Sequence, residues 1–185
     1  GTHGMAHALP KVLQAAEMLQ DRPDIAFMFA GSGAERAKVE KLVEERRLQN
    51  VQLIPRQPKE RMPALWSLCH VALVPLMDTP VFATVIPSKI FESMGMGVPV
   101  LMSVPEGEAT SIVRATQSGI CVRPEDPRAL AQAIIKLADD RDELARLGRC
   151  AREGARQFSR DKLAASMLRV MLECCERTPR AWRPR

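Results

Sequence analysis

The sequence predicts an α/β fold: an open parallel sheet with helices on both faces. Three observations carry this. Five short apolar runs, at residues 25–30, 51–54, 71–76, 98–102 and 119–122, are almost continuous rather than alternating, as strands covered on both faces are. Stretches with helical apolar spacing separate them, at 5–20, 34–47, 59–68, 88–96 and 107–116. Strict alternation of strand and helix implies parallel pairing through right-handed crossovers.

Taken in order, helix 5–20 places Leu9, Leu13, Ala16 and Leu19 at helical spacing. Strand 25–30 runs into Gly31-Ser32-Gly33 and then helix 34–47. That loop lacks the GxGxxG spacing, and the chain has no P-loop. It reads either as a tight turn that lets the helix pack close to the sheet or as a ligand-facing loop. Strand 51–54 leads to Pro55-Arg56-Gln57-Pro58. Stretch 76–88 is long for a strand-to-helix connection, which favours function over simple linkage. Pro87 and Ser88 suit the start of helix 88–96, and Gly95 and Gly97 suit its end. Beyond strand 119–122, Asp126 caps a helix with Pro127 at its first position. From there to about residue 176 the chain reads as helical, with breaks near 139–141 and 157–159. The last helix begins at Ser159 and carries a stripe of Leu163, Met167, Val170 and Met171. Residues 1–176 are expected to form one domain and 177–185, rich in arginine and proline, a basic tail.

At 185 residues the chain suits one well-buried domain. Its 46% hydrophobic and 26% charged residues are ordinary for a soluble globular protein. A net charge of +5 is compatible with phosphate ligands, nucleic acid or an anionic membrane. Two tryptophans and no tyrosine weigh against base-stacking platforms, so nucleic acid is not expected as a partner. Five cysteines without a CxxC fit neither a disulfide framework nor a zinc site, which points to a reducing cytoplasm. No apolar run reaches the length of a membrane span, and Gly1-Thr2-His3-Gly4 has no signal-peptide features.

Ligands of open parallel sheets bind at the carboxyl ends of the strands. Residues 1–7, 31–33, 55–58 and 76–88 fall on that edge. Ser88 and Lys89 at a helix N-terminus suit an anion such as a diphosphate; the plain alternative is a capped helix start with a solvated lysine. Glu92, one turn on, suits sugar hydroxyls, or is a surface acid. Gly4 permits close backbone approach to a phosphate with His3 or His7 as donors, or the segment is a frayed terminus. Arg56 sits just past a strand between two prolines and, alone, reads as a solvated surface residue. Glu106 and Glu108 read as the acidic start of a helix.

The run Pro87-Ser88-Lys89-Ile90-Phe91-Glu92, followed by Met94-Gly95-Met96-Gly97-Val98-Pro99-Val100, resembles the donor-binding half of glycosyltransferase family 4. These are GT-B enzymes, in which two Rossmann-like domains face each other across a cleft. Gly1–Leu9, Phe29–Glu35, Val51–Pro55, Val71–Leu76 and Val122–Ala131 agree with the family in order and spacing, so the likeness covers about residues 1–170. The Ser-Lys-Ile-Phe-Glu form looks closest to bacterial enzymes that transfer amino sugars in polysaccharide assembly, similar to N-acetyl-fucosamine transferases.

The resemblance implies roles. Glu92 matches the acid that holds the donor ribose. Ser88 and Lys89 face the diphosphate or sugar, and Ile90 lies in the same motif. Lys89 and Glu92 would be the catalytic pair. Thr2, His3 and Gly4 approach the diphosphate beside the Gly31 and Gly33 loop. Arg56 and Gln57 lie in the base-contacting loop. Two departures stand out. Thr84 occupies the place of the motif's first acid, eight positions before Glu92, and Thr2 and His7 fall near the places of a usual arginine and lysine. Lys89 would therefore carry more of the phosphate charge. The resemblance further implies retaining transfer from a UDP- or GDP-linked sugar with no cofactor or metal. It implies an acceptor domain and a first strand ahead of Gly1, a lipid-linked acceptor, and a cytoplasmic enzyme peripheral to the inner membrane face. The rival reading is a non-enzymatic α/β module that binds a phosphorylated small molecule or a protein partner.

Overall fold

The strands predicted from the apolar runs form: β1 (Phe27–Ala30) and β3 (Ala72–Pro75) are shorter than their runs, β2 (Val51–Ile54) and β5 (Gly119–Val122) coincide with them, and β4 (Val100–Ser103) starts two residues into its run and ends one residue beyond it. These come from a computed structural model that describes residues 1–177, so the predicted basic tail lies outside the described residues except for Arg177. All observed pairings are parallel, and helices flank them. The α/β class and the parallel arrangement are therefore as expected. The single continuous sheet is not. β1 pairs with β2, Phe27 beside Val51. Separately, β3, β4 and β5 pair in that order, with Ala72 beside Val100 and Val100 beside Gly119. β1 and β3 are not hydrogen-bonded to each other. Apolar periodicity locates strands, but which edges meet is a long-range property that it does not encode.

Helices α1 (Leu9–Met18), α2 (Arg36–Glu45), α3 (Met62–Ser67), α4 (Pro80–Ala83), α5 (Lys89–Met96), α6 (Glu108–Ala115), α7 (Pro127–Asp139), α8 (Arg141–Ala155) and α9 (Arg160–Arg177) connect and cover the strands. Two predicted helices start later than apolar spacing implies, each with proline in its first turn. Instead of one helix over 5–20 there is a 3-10 turn at Met5–His7, then Ala8 at φ +43°, then α1. Pro10 has no N–H to contribute to the helix ladder, so it belongs in a first turn. Pro63 likewise sits in the first turn of α3, which a 3-10 turn at Lys59–Arg61 precedes. The long stretch 76–88 is not structureless, since it contains α4.

Asp126 caps α7 as predicted, its Oδ1 accepting from the Arg128 and Ala129 N–H groups at 3.0 Å. Asp126→Ala is expected to cost about 1 kcal/mol of stability, read as a lowered urea midpoint at unchanged slope.

The core lies in two clusters. One joins α1, β1 and α7 through Leu13, Ala16, Phe27 and Leu130. The other joins β3, α5, β4, α6 and α8 through Val74, Ile90, Met94, Val100, Met102, Val113 and Ala151. The predicted stripe of α9 is helical, yet Leu163, Met167, Val170 and Met171 are all more than half exposed. It adds nothing to either cluster.

Candidate functional site

The carboxyl ends of the strands bring the predicted loops together. Segment 1–3 runs alongside the end of β1: the Gly1 nitrogen bonds to the Ala30 carbonyl, and His3 N–H bonds to the Ser32 carbonyl at 2.8 Å. Thr2 and Ser32 form an isolated parallel bridge. The Gly31–Gly33 loop is shaped by that passage. Gly31 sits at φ +146° and Gly33 at φ +148°, backbone that L side chains avoid. A Cβ on Gly31 would lie 1.7 Å from the Gly1 carbonyl oxygen, and one on Gly33 would lie 2.6 Å from that of His3. The glycines are needed because another backbone crosses them, which neither sequence reading foresaw. Gly4 precedes the 3-10 turn, and its carbonyl lies 3.3 Å from His7 Nδ1.

Lys89 begins α5 beside this segment: a Cβ on Gly1 would lie 3.8 Å from Lys89 Nζ. Its ammonium is half-buried and has neither a hydrogen bond nor an ion pair within the described residues. Burial pushes its pKa below the ordinary lysine value, with the Glu92 carboxylate opposing the shift. Gly1, His3 and His7 all feel the positive charge of Lys89, and the two rings titrate below the ordinary histidine value chiefly because of burial. The electrostatic character is therefore a half-buried cation without an ion pair, with neutral imidazoles around it and the Glu92 carboxylate offsetting part of its charge.

Ser88 does not cap α5. Its backbone is helical and its hydroxyl instead donates to Glu92 Oε1 at 3.4 Å. The first turn of α5 is also less open than expected: Ile90 N–H bonds to Pro87, and Phe91 and Glu92 N–H bond to Ser88. These tight bonds take up most of the donors on which a helix N-terminus relies for anion binding. Ile90 lies away from the site surface: its side chain is wholly buried in the second core cluster, among Met94 and Val100, where it fixes the pose of α5. Glu92 is exposed on the same helix.

Arg56 is exposed and close enough to affect Gly1 electrostatically. Gln57 turns back, its Nε2 donating to the Pro55 carbonyl at 3.1 Å. Thr84, exposed at the end of α4, donates to the Val81 carbonyl at 2.8 Å. Its hydroxyl thus serves its own turn. Gly107 packs under that turn, since a Cβ there would lie 1.9 Å from the Ala83 carbonyl oxygen. Glu106 does not face the site alone; Arg114 holds it at 2.5 Å.

The match to the family model described as "Glycosyl transferases group 1" spans residues 7–154, taking in both the glycine loop and α5. The chain belongs to this glycosyltransferase family. This group 1 domain is 30% identical over 138 residues to the glycosyl transferase WcaI of Escherichia coli K12, named for colanic acid biosynthesis; the match covers 72% of the chain and 33% of that protein. Two solved structures share its fold. One is Staphylococcus aureus TarM in complex with UDP and α-GlcNAc-glycerol (TM-score 0.77, 16% identity, 91% of this chain and 34% of that one). The other is Anabaena HepE in complex with UDP and glucose (TM-score 0.75, 16% identity, 95% and 46%). The domain spans about a third of the length of WcaI and under half of either structure.

One residue at this edge escaped the sequence reading. Arg36, at the start of α2, donates from Nη1 to the Gly31 carbonyl at 3.3 Å and to the Ile54 carbonyl at 3.1 Å, while Glu40 accepts from its Nε at 2.6 Å. It ties the ends of β1 and β2 together beneath the glycine loop. Its only sequence signal is the (i, i+4) spacing to Glu40. After burial, the charge of Arg36 does most to lower the pKa of His3.

His3 is buried with its Nδ1 unpartnered and its ring edge-on to Phe29. Above the ordinary value of 6.5 the ring is neutral folded or unfolded, and it contributes no pH dependence. As pH falls below 6.5 the unfolded chain takes the proton first, so stability falls. Urea midpoints should therefore drop between pH 7.5 and pH 5.5, and the drop should shrink in His3→Phe.

Proposed function

We propose that this domain is the donor-binding part of a retaining glycosyltransferase that moves a sugar from a UDP- or GDP-linked donor to an acceptor in polysaccharide or glycoconjugate assembly. The observation that carries the reading is the unpaired, half-buried ammonium of Lys89 at the carboxyl edge of the strands. A cation held partly out of water without an acid partner is costly unless an anion meets it. The likeness to WcaI and the UDP held in the TarM and HepE structures support a nucleoside diphosphate as that anion.

In this reading Lys89 neutralises charge that develops on the departing diphosphate, with Ser88 and the Lys89 backbone N–H beside it. Glu92 accepts from the ribose hydroxyls. Thr2, His3 and Gly4 border the diphosphate, Arg56 and Gln57 border the base, and Thr84 lies toward the sugar. No step in this arrangement calls for a metal. The acceptor side is supplied by a second domain ahead of Gly1, against which the exposed stripe of α9 packs, and the acceptor is a lipid-linked sugar at the inner membrane face. No helix among the described residues is long and apolar enough to cross a membrane.

Calorimetry of UDP, GDP and inorganic pyrophosphate against this chain tests the reading. Weak binding of one nucleotide is expected, on the order of 1 mM. Glu92→Ala should weaken the nucleotide about tenfold, the worth of one charge-assisted hydrogen bond, and leave pyrophosphate unchanged. Equal loss for both ligands would remove Glu92 from the ribose. If the folded chain bound pyrophosphate as well as either nucleotide, the rival phosphate-binding module would stand instead.

A further inference from the structure

Three successive amides just past β3 each find a different partner. Leu76 N–H donates to the Ser103 carbonyl at 2.9 Å, and Met77 N–H to the Ala6 carbonyl at 2.9 Å. Asp78 N–H donates to Oε2 of Glu125 at 2.7 Å, across 47 positions of sequence. Thr79 N–H then turns back to the Met77 carbonyl, and the chain enters α4. At the far end of α4 the Ala83 carbonyl rests against Gly107. The loop that carries Thr84 is thus pinned by backbone at Leu76, Met77 and Ala83, and by a side chain at Asp78.

Glu125 is an unusual residue for its place. Its φ is +51°, in the left-handed region, where a side chain is strained and glycine is not. Arg47 and Gln117 share that backbone, but they lie just past α2 and α6, where helices ordinarily end in it. Glu125 follows a strand and ends no helix. The turn around it is held on both sides: Ser103 Oγ donates to the Arg123 carbonyl at 3.3 Å, and Asp126 caps α7. From that fixed base the half-buried Glu125 side chain reaches loop 76–88. The strained turn thereby supplies a charged acceptor to Asp78 N–H, and charge-assisted bonds are the stronger kind.

We propose that Glu125 is a positioning residue for the sugar side of the site: its carboxylate fixes the start of loop 76–88 and so the place of the Thr84 hydroxyl. Place matters because the Thr84 proton is already given to the Val81 carbonyl. Its oxygen can only accept from a ligand, and hydrogen bonds weaken steeply with misalignment. The sugar-side role rests on the donor reading; the latch between Glu125 and Asp78 does not.

Glu125→Gly and Glu125→Gln test this by separating loop order from global stability. Glycine relieves the backbone and removes the acceptor, whereas glutamine keeps an acceptor in the same place. Glu125→Gly should hold or raise the urea midpoint, yet speed exchange of the Asp78 amide about tenfold. Glu125→Gln should restore most of that protection. For the site, calorimetry compares UDP with UDP-N-acetylglucosamine and UDP-glucose, and GDP with GDP-mannose. The sugar nucleotide that the parent chain binds best should bind Glu125→Gly about threefold more weakly, with the bare nucleotide unchanged. Equal exchange of the Asp78 amide in all three chains would overturn the latch. Faster exchange with equal sugar-nucleotide affinity would overturn the positioning role and leave Glu125 a structural contact. So would an equal loss for the bare and the sugar nucleotide. Should the parent chain bind no nucleotide at all, the donor reading and with it the sugar-side role would fall, whereas the latch would still stand or fall on amide exchange.

Discussion

Lys89→Met should weaken nucleotide binding roughly ten- to a hundredfold while leaving the fold as stable as before or more so. The two readouts move in opposite directions for one physical reason. The ammonium of Lys89 is half-buried without an ion pair, so the folded state bears a desolvation cost that Met, with a similar stem and no charge, removes. That cost is visible in the lowered pKa of the group. A diphosphate in the site would recover it as a charge-assisted hydrogen bond worth about 1.5–3 kcal/mol, which sets the size of the expected loss. The pH dependence follows. Because its folded pKa lies below the ordinary value of 10.5, the charged lysine disfavours the fold, and stability recovers as alkali removes the proton. Nucleotide affinity should fall over the same range, starting below pH 10.5, and Lys89→Met should abolish both trends. A variant that lost stability and kept its affinity would mean that Lys89 is a structural cation.

Much of this site was legible in the sequence, though unevenly. The alternation of apolar runs with helical stretches located every strand, and Asp126-Pro127 located a cap, because those signals are local. Proline was visible but underweighted: Pro10 and Pro63 each lie in the first turn of an α-helix, which therefore starts later than apolar spacing alone implies. Ser88 shows the limit of residue preference. It has the chemistry of a cap, yet helical backbone turns its hydroxyl toward Glu92. Ile90 lies inside the motif and serves it from the core, a distinction that depends on which way the helix faces. Arg36 was invisible because its role depends on two carbonyls, at Gly31 and Ile54, brought together only by β1–β2 pairing. The break between the sheets is not legible in the β1 or β3 runs themselves, which do not say that their edges lie apart; only the resemblance, with its first strand ahead of Gly1, pointed there.

Gly31→Ala should be the most damaging single methyl in the chain, and Gly95→Ala a stabilising one. At Gly31 two costs combine. The backbone sits at φ +146°, where a Cβ is strained by about 1–3 kcal/mol, and the added carbon would lie 1.7 Å from the Gly1 carbonyl oxygen. That oxygen belongs to backbone, so no side-chain rotation relieves the contact. Segment 1–3 must move, giving up the bonds from Gly1 to Ala30 and from His3 to Ser32 and uncovering the His3 ring against Phe29. Destabilisation of roughly 2–3 kcal/mol or more is expected from the strain and the lost hydrogen bonds. Nucleotide binding should fail too, because the backbone beside Lys89 is displaced. Gly95 has nothing within 4 Å of a Cβ and lies inside α5. Alanine there should add about 0.5–1 kcal/mol by helix propensity alone. The pair separates two explanations of the glycine loop. If Gly31 only shortened a turn, its alanine variant would lose stability and keep the histidine titration of the parent. If the loop exists to let segment 1–3 cross it, that variant must also return His3 toward the ordinary histidine pKa, and an NMR titration of the ring reads this directly.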